Sequence, residues 1–262
     1  MNSTLSSYDS TLSPALNTSI PFSFPDRVEL AKAYQNEWLA RRVYLEHANV
    51  RLAVGICVSQ FVDRVGARED PGGSLKKAWD YILERTRSEE QQENWGLLES
   101  TLVCDTHRVL FEETIVPPNM TRPGHLSNRP RYADVKGYAR HWYPVPKDMD
   151  SALVSLFDEY NVRYDSCRGA YDKELFLTCA WLTCRFLALH PFGDGNGRLC
   201  QILCNYAMAE YHPFPVAFCD TNDYLPLLIK AQATGNVLSL ATNMALSTCL
   251  AWQSFMNTLN KQ

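Results

Sequence analysis

The sequence predicts an all-α fold, a helical bundle carrying one small β-hairpin. Three observations predict it. Apolar residues recur at i, i+3, i+4 and i+7 along most of the chain, as in Leu153, Leu156, Phe157 and Tyr160. Residues 172–189 and 198–211 are apolar nearly all round, which marks two central helices covered by the others. Only residues 117–146 change texture, to turn formers and β formers.

Composition sets the class. The chain has 262 residues, 46% hydrophobic and 21% charged, enough for a substantial core with a helical extension. Its formal net charge is −4 and it has no long basic run, so nucleic acid is not an expected partner. No apolar run reaches the length of a membrane span. The nine cysteines are scattered, several inside apolar helical segments, and are expected to be free buried thiols of a reducing compartment. Cys200 and Cys204 share one helix face, but no Cys/His pair accompanies them to make a metal site.

The elements follow in order. Residues 1–25, rich in Ser, Thr, Asn and Pro, lack the basic and apolar regions of a signal peptide; they are expected to form a flexible tail on a cytoplasmic protein. Residues 26–96 form an N-terminal helical extension and residues 97–262 the core. Asp26 is placed to cap a helix carrying Val28, Ala31, Tyr34 and Trp38, with helical character running to about Val65. A loop over 66–73 precedes a helix that Ser74 can cap and that carries Trp79, Ile82 and Leu83. A helix is expected over about 94–113, and a hairpin or extended flap over 117–146, with Tyr132, Val135, Tyr138, Trp142 and Tyr143. Asp148 or Asp150 caps the next helix. After the two central helices, Tyr224 opens a helix ended by Gly235-Asn236, and residues 237–259 close the bundle.

The bend between the central helices concentrates the chemistry. Pro191 disfavours helical backbone at His190, which leaves that imidazole at a helix exit. Gly195 and Gly197 flank Asn196 and allow successive N–H groups to converge on an anion, and the helix that follows adds the positive end of its dipole. Asp194 is a hard oxygen ligand suited to Mg²⁺ (or Mn²⁺) bridging phosphates, Arg198 is a planar cationic fork, and His190 can accept a hydroxyl proton at neutral pH. The other histidines, at 47, 107, 125, 141 and 212, lack such company and are expected at the surface or in packing.

These residues resemble the signature of the Fic (Fido) family, H-x-F-x-[D/E]-G-N-G-R-x-x-R. Seven of its eight specified positions are filled, by His190, Phe192, Asp194, Gly195, Asn196, Gly197 and Arg198. At the eighth, Gln201 stands where the second arginine belongs. The resemblance extends over roughly residues 97–255. It implies a Fic-type helical bundle whose flap holds a target protein as an added extended segment. It further implies transfer of AMP from Mg-ATP, the co-substrate, to a Ser, Thr or Tyr hydroxyl.

In that scheme His190 is the catalytic base and Asp194 the metal ligand; Gly195, Asn196, Gly197, Arg198 and Gln201 serve the nucleotide, and Phe192, counted with them, is expected beneath the loop, fixing its shape. Tyr224 is a candidate contact to the base, with packing on the core as the alternative reading. Gln201 leaves open another donor, a different nucleotide or a CDP-choline type, because glutamine offers only a neutral hydrogen bond to outer phosphates. A non-catalytic scaffold and a homodimer also stay open. The family's inhibitory pattern, [S/T]-x-x-x-E-[G/N], has no full match: Thr86 to Glu90 is followed by Gln91, and Glu93-Asn94 follows Glu89. An enzyme not held off by that device is therefore expected.

Overall fold

The computed structural model describes residues 23–66, 73–85, 94–112, 121–133, 141–218 and 224–261. In chain order these form α1 (Phe24–Arg41), α2 (His47–Gly66), α3 (Ser74–Arg85), α4 (Ser100–Leu110), β1 (Arg131–Ala133), β2 (His141–Tyr143), α5 (Met149–Cys167), α6 (Lys173–Leu189), α7 (Asn196–Met208), α8 (Tyr224–Thr234) and α9 (Leu238–Asn260). The predicted all-α architecture with one small hairpin is what the chain adopts. No helix among the described residues is long and apolar enough to cross a membrane.

Local chemistry sets the ends of these helices. Ser23, rather than Asp26, caps α1; Asp26 is the third helical residue and its carboxylate accepts from the Ser23 N–H at 2.8 Å, completing a capping box. Asp148 accepts from the Ser151 N–H at 3.2 Å to cap α5, and Asp172 accepts from the Glu174 N–H at 2.9 Å to cap α6. The single helix expected to Val65 is two, broken by a turn over residues 42–46. The helix expected from about Asn94 begins only at Ser100, after a turn at 94–96. There Gly96 adopts φ +79°, and a β-carbon on it would lie 2.2 Å from the Tyr164 ring.

Helices α6 and α7 pack on each other at the centre, with α9 against α1, α2, α6 and α8, and α5 on the far side of α6. Nearly every residue of α7 is buried, as its all-round apolar pattern requires. Aromatic side chains fill the space beneath: Trp252 meets Phe214 edge-on at 4.9 Å, and Trp38 meets Phe255 at 5.2 Å. The eight cysteines among the described residues are free; seven of them are buried.

The segment leading away from α7 is tied down by side-chain amides. Asn205 donates to Val216 O and accepts from the Val216 N–H, at 2.8 and 2.6 Å, as a strand neighbour would. Asn243 of α9 donates to Phe218 O at 3.2 Å. Main-chain groups that no sheet serves are thereby satisfied inside the core.

The strands pair antiparallel with Arg131 opposite Tyr143 and Tyr132 opposite Trp142. Alternation along a strand sends these two pairs to opposite faces. Tyr132 and Trp142 are exposed, their rings 5.1 Å apart, while Arg131 and Tyr143 turn towards the bend between α6 and α7. Much of the expected 117–146 flap, namely 117–120 and 134–140, lies outside the described residues, as do the inhibitory-pattern candidates at 86–93 and Cys219.

Candidate active site

Helix α6 ends at His190, whose backbone is left-handed with φ 51° and ψ 59°. It is the only non-glycine with positive φ among the described residues. The Pro191 ring that follows excludes helical backbone here, and the last turn closes with the His190 N–H donating to Phe186 O at 2.8 Å. The imidazole lies flat against the Tyr143 ring, centroids 3.8 Å apart and planes 10° from parallel. Its Nδ1 is buried. Rather than being sealed in the core, His190 is partly exposed and lines a cleft of about 360 Å³.

Gly195 and Asn196 build the floor of that cleft. Gly195 adopts φ 74°, and a β-carbon there would come within 2.5 Å of the Phe111 ring. Asn196 begins α7, two residues before the expected start, and its buried side chain points back into the loop. There Oδ1 accepts from the Phe192 N–H at 3.0 Å and Nδ2 donates to Phe192 O at 2.9 Å. Asn196 can therefore address a ligand only through its main chain. The first three amides of α7, those of Asn196, Gly197 and Arg198, have no acceptor within the helix; the first intrahelical bond is from the Leu199 N–H to Gly195 O. A β-carbon on Gly197 would meet nothing within 4 Å, so the approach to these donors is open. A row of donors at the positive end of a helix dipole suits a phosphate.

Phe192, counted with the nucleotide-binding residues, does not line the cleft itself but lies beneath the loop, as expected. It is fully buried and stacks on His107 at 4.0 Å, because the apolar core under the loop is the better solvent for a phenyl ring. His107 in turn accepts the Gly124 N–H at Nδ1 (2.8 Å), so its proton sits on Nε2 and is donated to the Asp194 main-chain oxygen at 3.0 Å. Burial pushes its pKa down to about 4, opposed in part by that carbonyl, so the ring is neutral and structural.

With its main chain held by His107, Asp194 leaves its carboxylate largely in solvent. Oδ1 accepts from the Gly195 N–H at 2.6 Å and Oδ2 lies 3.8 Å from Arg198 Nη2. The Arg198 side chain is mostly buried, its guanidinium 4.9 Å above the Phe111 ring, which fixes its plane at the cleft edge. No group of three or more His, Cys, Asp or Glu able to hold a metal alone exists among the described residues. A single exposed carboxylate beside a phosphate-sized nest nevertheless fits Mg²⁺, which takes one or two carboxylates and completes its shell with phosphate oxygens and water.

Gln201 lines the cleft but is not a free phosphate ligand. It is buried, and its Oε1 accepts from the Phe218 N–H at 3.0 Å, so only its amide NH₂ end can turn towards a ligand. Tyr224, half-buried at the start of α8, forms the opposite wall with Leu225 and Leu228. The structure thus brings His190, Asp194, Gly195, Asn196, Gly197, Arg198, Gln201 and Tyr224 around one cleft. Sequence reasoning did not single out Tyr143, His107 or Arg131 as parts of the site. Each comes from an element distant in sequence, and only the hairpin signal around Tyr143 hinted at any of them.

Comparison with known proteins accords with this arrangement. Residues 97–208 match the Fic/DOC family model. A Fido domain-containing protein of Dictyostelium discoideum is 33% identical over 82 residues, which are 31% of this chain and 54% of that protein. A ribonucleoside-diphosphate reductase small chain of Ostreid herpesvirus 1 is 24% identical over 192 residues, 69% of this chain but 30% of the viral one. The matched stretches thus span about half of one curated relative and under a third of the other. Among solved structures, a Fic domain-containing signaling protein of Bacteroides thetaiotaomicron shares the fold with a TM-score of 0.69 at 15% identity, over 89% of this chain and 96% of that one. The family model thus covers residues 97–208, and the fold is shared across most of the chain.

Proposed function

We propose that this chain is a Fic-type transferase that moves AMP from Mg-ATP to a Ser, Thr or Tyr hydroxyl of a target protein and releases pyrophosphate. One observation carries the reading. The His190 ring and the amides that open α7 line the same cleft, with Asp194 and Arg198 at its edge.

His190 Nε2 takes the proton of the target hydroxyl as that oxygen attacks the α-phosphorus. The bond from the α-phosphorus to the bridging oxygen breaks, and the electron pair leaves with pyrophosphate. Amides of Asn196 and Gly197, with the Arg198 guanidinium, meet the charge that grows on the phosphate oxygens. Asp194 would hold Mg²⁺, which supplies Lewis-acid neutralisation of the phosphates when bound. The target would lie along the 117–146 flap as an extended segment, held by its main chain. Tyr224 with Leu225 and Leu228 offers an apolar wall for the base.

A second reading, a donor other than ATP, is favoured by Gln201. Its carbonyl is committed to Phe218, and a neutral amide replaces the family's second guanidinium. A donor with a less charged leaving group, such as the CDP-choline type, asks less of that position.

Incubation with ATP labelled at the α or the γ phosphate, with and without Mg²⁺, separates adenylyl from phosphoryl transfer. Label from the α position should reach protein, and His190→Ala should lower the rate by about 10² to 10⁴-fold while nucleotide still binds. Label arriving only from the γ position, or only from a CDP-choline type donor, replaces the first reading. No binding of any donor by calorimetry removes both.

A further inference from the structure

Two residues that face each other across the hairpin converge on His190 from different sides. Arg131 is buried, 6% exposed, and no carboxylate lies within ion-pair reach of it among the described residues. Its charge is met by carbonyls instead: Nη1 donates to Ser127 O at 3.0 Å and Nη2 to Leu189 O at 3.4 Å. Leu189 is the residue before His190. On the other side, the Ser127 N–H donates to Pro191 O at 2.8 Å, the carbonyl of the residue after it. The main chain is therefore gripped immediately before and after His190, the one non-glycine at positive φ among the described residues. Left-handed backbone at such a residue is unfavourable by about 1–3 kcal/mol and persists only where its surroundings over-determine it. Opposite Arg131, Tyr143 stacks on the imidazole itself and fixes the plane of the ring.

We propose that Arg131 and Tyr143 are positioning residues for His190, one holding its strained main chain through the Leu189 carbonyl and the Ser127 bridge, the other setting its ring plane. Burying a guanidinium among main-chain carbonyls is expensive for folding, and an apolar residue could fill that volume at less cost. The expense is explained where the carbonyls it serves set the placement of a proton acceptor. A segment docking on the hairpin would act on the base through this pair.

The kinetic arm of the test rests on the transferase reading, whereas the spectroscopic arm does not. Arg131→Gln, Arg131→Lys, Tyr143→Phe and Tyr143→Leu are compared with the full chain, using nucleotide calorimetry, steady-state rates and the ¹³C-edited NMR titration of His190. Arg131→Gln should lower kcat by about 10- to 100-fold, with nucleotide KM and Kd unchanged, as expected for a displaced catalytic group. Lysine at 131 should restore part of the rate. Tyr143→Phe, which keeps a ring to stack on the imidazole, should retain more of the rate than Tyr143→Leu, which should lower kcat and move both the acid limb of the rate profile and the His190 titration.

An Arg131→Gln chain with parental kcat and parental His190 resonances overturns the proposal, as does a rise in nucleotide KM at constant kcat. Should Arg131→Gln fail to fold, Arg131→Lys and Tyr143→Leu decide on the same readouts. Should the parent transfer no label, the transferase reading fails alone, and the His190 resonances still judge the positioning roles.

Discussion

His107 and Phe192 lie ring on ring, centroids 4.0 Å apart and 10° from parallel, and the same imidazole bridges the Gly124 N–H and the Asp194 carbonyl. One neutral histidine thereby joins α4, the approach to the hairpin and the loop after His190. His107→Ala would leave the Gly124 amide without its acceptor and open a cavity beside Phe192. A loss of about 2–5 kcal/mol is expected in urea unfolding. Unchanged stability would mean that the loop is held by something else.

Acid should unfold this protein through its buried histidines. His107 and His212 are both pushed down to about 4 by burial, so unfolded chains bind protons that folded ones refuse. Stability is full above about pH 7 and falls as pH drops through the ordinary imidazole value near 6.5 towards 4, by up to roughly 3 kcal/mol for each residue. Urea midpoints measured across that window check the slope. A flat profile would contradict the burial of both rings.

Gly195 and Gly197 should separate under the same substitution. Gly195→Ala forces a methyl to within 2.5 Å of the Phe111 ring at a φ of 74° and should cost about 2–4 kcal/mol of stability. Gly197→Ala meets no atom and should leave the melting temperature near or slightly above the parent value, since alanine is the better helix former. Its methyl narrows the approach to the α7 amides, so calorimetry should show about tenfold weaker nucleotide binding.

Gln201→Arg completes the Fic signature that the loop resembles, at the expense of the Phe218 amide. Leaving that buried N–H without an acceptor should lower stability by about 1–3 kcal/mol, while ATP binds more tightly through the added charge. Tighter binding of a CDP-choline type donor in the parent than in the variant would favour the second donor.

Asp194→Asn tests the metal. The side chain is 60% exposed, so folding should be unaffected, and the dependence of nucleotide affinity on Mg²⁺ should disappear. A Mg²⁺ effect that survives the substitution would assign the ion to other groups.

The convergence of the loop on one cleft was legible because its candidate residues are contiguous, from His190 to Arg198, and need no tertiary information to be found together. The central helices were legible for the same reason, their apolar character being all-round. What failed to show were features without a local signal. The break at residues 42–46, Arg42-Val43-Tyr44-Leu45-Glu46, contains neither glycine nor proline. Ser23 took the cap from Asp26 because the two act as a reciprocal pair, which either residue alone does not announce. His107, Arg131 and Tyr143 reach the loop only through packing of α4 and the hairpin, and no spacing in the sequence encodes that approach. Gln201 was visible as a departure from the pattern, but its bond to Phe218 was not.

The left-handed turn at position 190 sets folding and chemistry against each other. Glycine there would relax the main chain and make a sturdier protein by about 1 kcal/mol, with nothing left to accept a proton. A chain shaped only to fold would have put glycine in that place. The imidazole is what folding alone would have discarded.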